Sequence, residues 1–211
     1  MEKREFYDFE INLDEVLSQT GAVDEYFQLR DLKSRRLFLH DDIRMESIED
    51  VVKHILRYNT EDKGIPCEDR VPIVLFISSE GGEVYSGFEL IDAIENSKTP
   101  VYTVNMGYHL SMAFLIGIAG KKRFATKNAK YLWHDGIMGG VNSYAKMRDQ
   151  MEFQRQTEDR TRQFILDHTN ISPELYDSKF RVEWYMYAEE AKALGITDYI
   201  IGEDCDIDEI V

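Results

Sequence analysis

Apolar and polar positions along this chain switch between two periods, and the switches outline a succession of strands and helices. Leu37-Phe38-Leu39 predicts a short strand within residues 26–40, after which Met45, Ile48, Val51, Val52, Ile55 and Leu56 return at the spacing of one helix face. The polar stretch Thr60–Pro66, with its glycine and proline, reads as a loop. Ile73–Ile77 is a second strand; Val84, Phe88, Ile91 and Ile94 share one face of a helix that stops before Pro100. Val101–Met106 is a third strand, followed by a glycine-led turn, Gly107–Met112, and a buried apolar helix, Ala113–Ala119. Tyr131-Leu132-Trp133-His134 is a further short strand. From Ser143 to His168 the chain lacks proline and glycine, which predicts one long helix. Its stripe of Met147, Met151, Gln154, Glu158, Thr161 and Ile165 is only half apolar, the pattern of a helix that reaches toward a neighbouring subunit. Strands alternating with helices imply a largely parallel sheet with right-handed crossovers.

Composition narrows the function classes. A chain of 211 residues with 43% hydrophobic content can close one well-filled core. The net charge of −15, without a basic face, argues against a nucleic-acid partner and suits a large soluble particle. No apolar run reaches the roughly 18 residues of a membrane span, and Met1-Glu2-Lys3-Arg4-Glu5 lacks the apolar core of a signal peptide, so a cytoplasmic protein without membrane contact is expected. Cys67 and Cys205 are far apart and unpaired by motif, which indicates neither a disulfide framework nor a zinc site, and no cofactor is expected.

Ser111 carries the most chemical information. It stands where a strand gives way to a buried helix, beside free backbone N–H groups and a positive dipole end. Alone, a serine there is an N-cap. The apolar strand ending in Ser78-Ser79-Glu80-Gly81-Gly82 adds paired glycines that let N–H groups approach a ligand, and the Tyr131–Trp133 run delivers His134 to a strand end. Nucleophile, base and oxyanion donors are then all available.

Five motifs taken together resemble the proteolytic subunit of the Clp (caseinolytic) protease family: Ser78-Ser79-Glu80-Gly81-Gly82, Gly107-Tyr108-His109-Leu110-Ser111-Met112, Ala119–Phe124, Trp133-His134, and Ala188–Asp198 with its Glu-Ala-x-x-x-Gly-x-x-Asp pattern. The resemblance covers roughly residues 26–201. It implies an α/β fold of the ClpP/crotonase-like kind, built of repeated β-β-α (spiral) units with a long protruding handle helix at about 143–168. It also implies a division into a divergent N-terminal segment (1–25), the protease-like domain (26–202) and an acidic C-terminal tail (203–211). Position by position, it implies Ser111 as nucleophile, His134 as general base, and Gly82 and Met112 as the oxyanion-hole residues. Counting back from Ala188–Asp198, the family's triad aspartate falls on Glu183, which keeps the carboxylate and adds a methylene. The implied activity is serine endopeptidase cleavage of unfolded polypeptides inside a homo-oligomeric, heptameric ring, single or doubled, fed by an AAA+ unfoldase.

Departures from the family pattern shape what is expected. Glu80 replaces a proline beside the cleft, and Val182 replaces a ring-linking arginine for which Arg181 is the nearest substitute. The family's apolar N-terminal collar is here interleaved with Glu2, Glu5, Asp8, Glu10, Asp14 and Glu15. The surface that receives an unfoldase loop in the family maps to Val74, Phe76, Val104, Met106 and Phe124, with Thr126 in place of an apolar residue. His40, His54 and His168 read as surface or capping histidines, and His109 as a residue near the cleft where the family carries a small one. Asp135 adjoins His134 but points oppositely along a strand, which makes it a poor orienting acid. The competing readings are a non-catalytic structural or regulatory ring subunit, which the glutamate and the altered N-terminus favour, and an acyl-CoA enzyme on the related crotonase-like fold, which would not need this serine and histidine.

Overall fold

The run Ile73–Ile77 is buried on both of its faces, as an inner strand of a parallel sheet requires. The structure, a computed structural model, describes residues 23–137 and 139–210, so the acidic N-terminal segment 1–15 singled out above lies outside the described residues. In chain order the elements are α1 (Val23–Lys33), β1 (Arg36–Leu39), α2 (Met45–Glu61), β2 (Ile73–Ser79), α3 (Val84–Glu95), β3 (Val101–Leu110), α4 (Met112–Ile118), β4 (Lys122–Thr126), β5 (Lys130–Trp133), α5 (Tyr144–His168), α6 (Pro173–Lys179), β6 (Trp184–Tyr187), α7 (Ala188–Ala193) and β7 (Tyr199–Ile201). The strands run β1-β2-β3-β4-β7, all parallel. β3 is shared: residues 102–105 pair with β4, whereas residues 108–110 pair with β5, which in turn pairs antiparallel with β6.

Alternation along the strands sorts side chains into two layers. Leu37, Leu39, Ile73, Leu75 and Ile77 face the helices, where Ile48, Val51 and Ile55 of α2, Leu90, Ile91 and Ile94 of α3, and Phe114, Leu115 and Ile118 of α4 complete the main core. Val74, Phe76, Val104 and Phe124 face the other way and form a second, smaller cluster. Along α5 only Thr161 and Ile165 are buried among the described residues, so most of this long helix stands free of its own core; the half-apolar stripe read as facing a neighbour turns inward instead, with Gln154, Glu158 and Thr161 lining a cavity that also touches Ser111.

Two boundaries differ from the sequence reading. Helix α2 continues through Thr60 and Glu61 before the loop begins. More consequentially, Gly107–Leu110 is strand and not turn: beyond the β2–β3 register shift between Ile77 and Ser79 this half of β3 still pairs with β2 at His109, and on its other edge β5 takes over from β4. A Cβ at Gly107 would stand 2.9 Å from Ser78 Oγ, so the glycine serves close strand packing there.

Buried polar groups are paired across elements. Arg35, just before β1, grips both carboxylate oxygens of Asp62 at 2.6 Å, and the Thr99 hydroxyl donates to Asp62 at 2.7 Å. The Arg35 guanidinium and then the Thr99 hydroxyl hold the Asp62 pKa below the usual carboxylate range against the opposing pull of burial. Toward the other edge of the sheet, Arg123 of β4 holds Asp198 through Nη2–Oδ1 at 2.7 Å, which gives the aspartate of the Ala188–Asp198 motif a structural task.

His109 of β3 does not line a cleft. It is 2% exposed, packs edge-on to the Tyr131 ring, and lies so close to Gly117 of α4 that a Cβ there would come within 2.3 Å of its Nδ1. Its Nε2 makes no hydrogen bond among the described residues. Burial pushes its pKa down to about 3, the carbonyls of Ile77 and Val104 pulling weakly the other way.

Two outcomes follow from these buried groups. Asp62→Ala strands the Arg35 charge and should cost about 3–5 kcal/mol in chemical denaturation; the Asp62 contribution itself is present above the ordinary carboxylate pKa and fades as pH falls through the depressed one. For His109 the neutral form is the folded form, so the unfolded chain gains a proton first as pH falls. Stability should therefore decline from about pH 6.5 downward by up to about 1.4 kcal/mol per unit, and urea midpoints of His109→Leu should show a slope shallower by one proton's worth.

Candidate active site

Ser111 occupies the single residue between β3 and α4, at φ 53 and ψ −119. A non-glycine residue at positive φ costs about 1–3 kcal/mol and persists where the surroundings impose it. Here they do: the Ser111 N–H donates to the Leu132 carbonyl of β5 at 2.9 Å, and α4 behind it is buried along its whole length, from Met112 to Ile118. The sharp strand-to-helix turn is the device by which hydrolases present a nucleophile hydroxyl.

Register then supplies the partners. β3 and β5 run in parallel with Leu110 opposite Leu132, which sets Ser111 beside the end of β5 where His134 follows Trp133. β5 and β6 run antiparallel with Trp133 opposite Trp184, so one further step brings His134 opposite Glu183. The step is realised as a hydrogen bond, His134 Nδ1 to Glu183 Oε1 at 2.8 Å. The Glu183 side chain is 58% exposed and that of His134 21%, so the ring is partly shielded while its acid reaches it from the solvent side. Glu183, not the adjacent Asp135, is the group on Nδ1. Ser111 and His134 share the wall of one cavity; among the described residues no hydrogen bond joins the Ser111 hydroxyl to the imidazole. Such links are often long in a free enzyme and tighten around substrate.

The glycine pair is packed against this turn. A Cβ on Gly81, at φ +98, would stand 2.7 Å from the Leu110 carbonyl oxygen, 2.8 Å from Ser111 Cβ and 2.9 Å from Met112 N. Gly82, at φ +149, forms a parallel bridge with Ile43, in which Ile43 N–H donates to Gly81 O and Glu83 N–H donates to Ile43 O. In such a bridge the flanking residues take both bonds, which leaves the Gly82 N–H directed away from Ile43. Met112 opens α4, so its N–H is one of the helix's free donors. Both expected oxyanion donors thus belong to the two chain segments that meet at Ser111.

Sequence reasoning missed the supports. Ile43 stands alone between Asp42 and Arg44, with no periodic signal, yet it holds the glycine loop in place. Gly81, not only Gly82, is required by the close approach to Ser111. The cavity beside Ser111 is walled by Val84, Met112, Leu115, Trp133, Tyr176 and Phe180, of which Tyr176 and Phe180 come from a helix and its end that the sequence reading did not connect to the site. Within the aromatic run after Glu183, Trp184 and Met186 are core, while Tyr185 and Tyr187 are exposed. Arg181 lies over the Phe180 ring.

Comparison with known proteins identifies a family. Residues 19–204 match the Clp protease family. The chain is 26% identical over 178 residues to the ATP-dependent Clp protease proteolytic subunit 2 of Treponema pallidum, covering 83% of this chain and 86% of that protein. It is 26% identical over 192 residues to the ATP-dependent Clp protease proteolytic subunit of Deinococcus radiodurans, covering 89% and 91%. With the family match spanning most of its length, this chain belongs to the Clp protease family.

Proposed function

We propose that this Clp-type serine endopeptidase cuts unfolded polypeptides with Ser111 as nucleophile, His134 as general base and Glu183 as the orienting acid. The observation that carries the assignment is the 2.8 Å bond between His134 Nδ1 and Glu183, formed next to a serine held at positive φ on the wall of the same cavity. Glu183 fixes the tautomer with the proton on Nδ1, leaving Nε2 to accept the Ser111 proton as Oγ attacks the scissile carbonyl. The imidazolium that forms is stabilised by the carboxylate and returns its proton to the leaving amine; water then repeats the sequence on the acyl enzyme. Gly82 and Met112 N–H groups meet the developing oxyanion, each worth about 3 kcal/mol. The wall of Val84, Met112, Leu115 and Trp133 supports apolar contact with a side chain beside the scissile bond, with Asp135 and Glu158 on the same cavity.

The same reading includes the setting of the site. The exposed face of α5, with Tyr144, Met151 and Phe153 uncovered, supports packing against neighbouring copies in a closed homo-oligomeric ring, taken as heptameric and single or doubled. The two relatives are named as ATP-dependent, which supports delivery of substrate by an AAA+ unfoldase docking on the outer sheet face. Among the described residues no helix is long and apolar enough to cross a membrane, and a cytoplasmic location is proposed. Residues 26–202 act as the protease domain, flanked by segments 1–25 and 203–211.

An active-site serine probe should label Ser111, and Ser111→Ala should abolish peptide cleavage while particle size in sedimentation is unchanged. Cleavage that survives Ser111→Ala would sink the assignment. Glu183→Gln keeps the shape but removes the charge and the tautomer control, and should lower kcat about 10⁴-fold; Glu183→Asp, one methylene short of His134, should fall between Gln and the parent chain. Equal activity in all three would place the orienting role elsewhere.

A further inference from the structure

Across five strands, one register row on the helix-free face is apolar without interruption: Phe38, Phe76, Val104, Phe124 and Tyr199 stand side by side. Phe38 stacks on Phe76 with ring centroids 5.1 Å apart, and Phe124 on Tyr199 at 5.2 Å. Both faces of a parallel sheet are ordinarily covered. On this one, two residues from outside the strands join the apolar cluster among the described residues, and both belong to the C-terminal segment: Ile210 and Cys205. Ile210 is buried with Val74, Phe76, Val104 and Phe124, whereas Phe38 and Met106 on the same face stay 48% and 42% exposed.

The way the segment is attached gives it a fixed base and a free tip. Asp204 is tied down, its Oδ2 accepting from Ile200 N–H at 2.6 Å and its Oδ1 pairing with Lys192 Nζ. A Cys205 bridge to Ile201 and the Gly202 N–H bond to the Cys205 carbonyl close the turn. Beyond it, the bonds are internal: Asp206 N–H to Glu209 Oε1, Glu209 N–H to Asp206 O, and Ile210 N–H to Ile207 O. Among the described residues none of these groups bonds to the strands beneath. Ile210 is therefore held by side-chain burial, a contact that another aliphatic side chain can replace without breaking a hydrogen bond of the sheet.

We propose that residues 206–210 are a displaceable cap, in which Ile210 occupies the apolar site on the outer sheet face and competes there with the apolar loop of an incoming partner. The proposal rests on the reading of this face as the unfoldase dock and adds a regulation to it: the chain carries its own competitor, and docking requires the cap to leave. Tethering gives the cap a high effective concentration at its site, so a free peptide of the same sequence is at a disadvantage against it.

The test uses a fluorescent peptide of residues 205–211, Cys-Asp-Ile-Asp-Glu-Ile-Val, and three proteins: the full chain, a chain ending at Asp204, and the full-length Ile210→Asp variant, which keeps the tail's own hydrogen bonds. Fluorescence anisotropy should show the peptide binding at least tenfold more tightly to the shortened chain and to Ile210→Asp than to the full chain, and a peptide with aspartate in place of its second isoleucine should not bind. Equal binding by the full chain and Ile210→Asp, or no binding to either altered protein, overturns the cap; if the shortened chain fails to fold, Ile210→Asp alone decides. Neither readout needs an unfoldase or a cut peptide bond. Failure of the docking reading shows separately, as unfoldase-driven degradation that stays the same when Phe38 and Met106 are made polar.

Discussion

The site depends on one pairing, the antiparallel register of β5 with β6 that sets Trp133 against Trp184. A slip of one residue would turn every side chain of β6 to the opposite face, so the buried Trp184 and Met186 and the exposed Tyr185 and Tyr187 fix the register by their burial. Once it is fixed, Glu183 has no choice of partner: the next step along the ladder is His134. The longer reach of glutamate is then no obstacle, because the 2.8 Å contact is closed from a half-exposed position by a side chain that extends to the ring.

A second pairing aligns Ser111 with this couple. β3 changes partner midway, from β4 to β5, and the change happens where the β2–β3 register shifts. The C-terminal half of β3 is thereby bound to the strand that leads into His134, and the strained Ser111 is pinned by its N–H to Leu132. Strain at Ser111 and the close packing of Gly81 against it belong together: with a Cβ at 81, the loop could not approach Met112 N and the turn could not be held from that side.

What the sequence made legible follows this division between local and distant causes. The helices α2 and α3 were readable because their apolar positions return at the 3.6-residue period, the strands at Ile73–Ile77 and Val101–Met106 because they are short apolar runs bounded by turn residues, and α5 because a long stretch lacks proline and glycine. Gly107–Leu110 was misread as a turn, since glycine after a strand is usually a break, whereas here it makes room for the Ser78 side chain. Ser111 and His134 announced themselves by position at element ends. Glu183 did not: it was placed by counting back from the Ala188–Asp198 motif, because its role is set by a partner 49 residues away through strand pairing. Ile43 and Tyr176 left no trace in the pattern for the same reason; each acts through one contact made across the fold.

β3 also joins the two surfaces that matter. Its first half supplies Val104 to the outer apolar row and its last residue leads into Ser111. Between them the strand is backed by His109, a buried imidazole without a hydrogen bond on Nε2, seated against Gly117 of the helix that carries Met112. A group that costs stability to bury is an unusual choice for a position that only fills space, since an aliphatic side chain would fill it without the penalty. The Nε2 of His109 is the buried side-chain polar atom left without a partner among the described residues, in the segment between the outer row and Ser111. The ring instead ties β3 to β5 and α4 at once, edge-on to Tyr131 and against Gly117, so the strand segment that leads into Ser111 is fixed from two neighbouring elements.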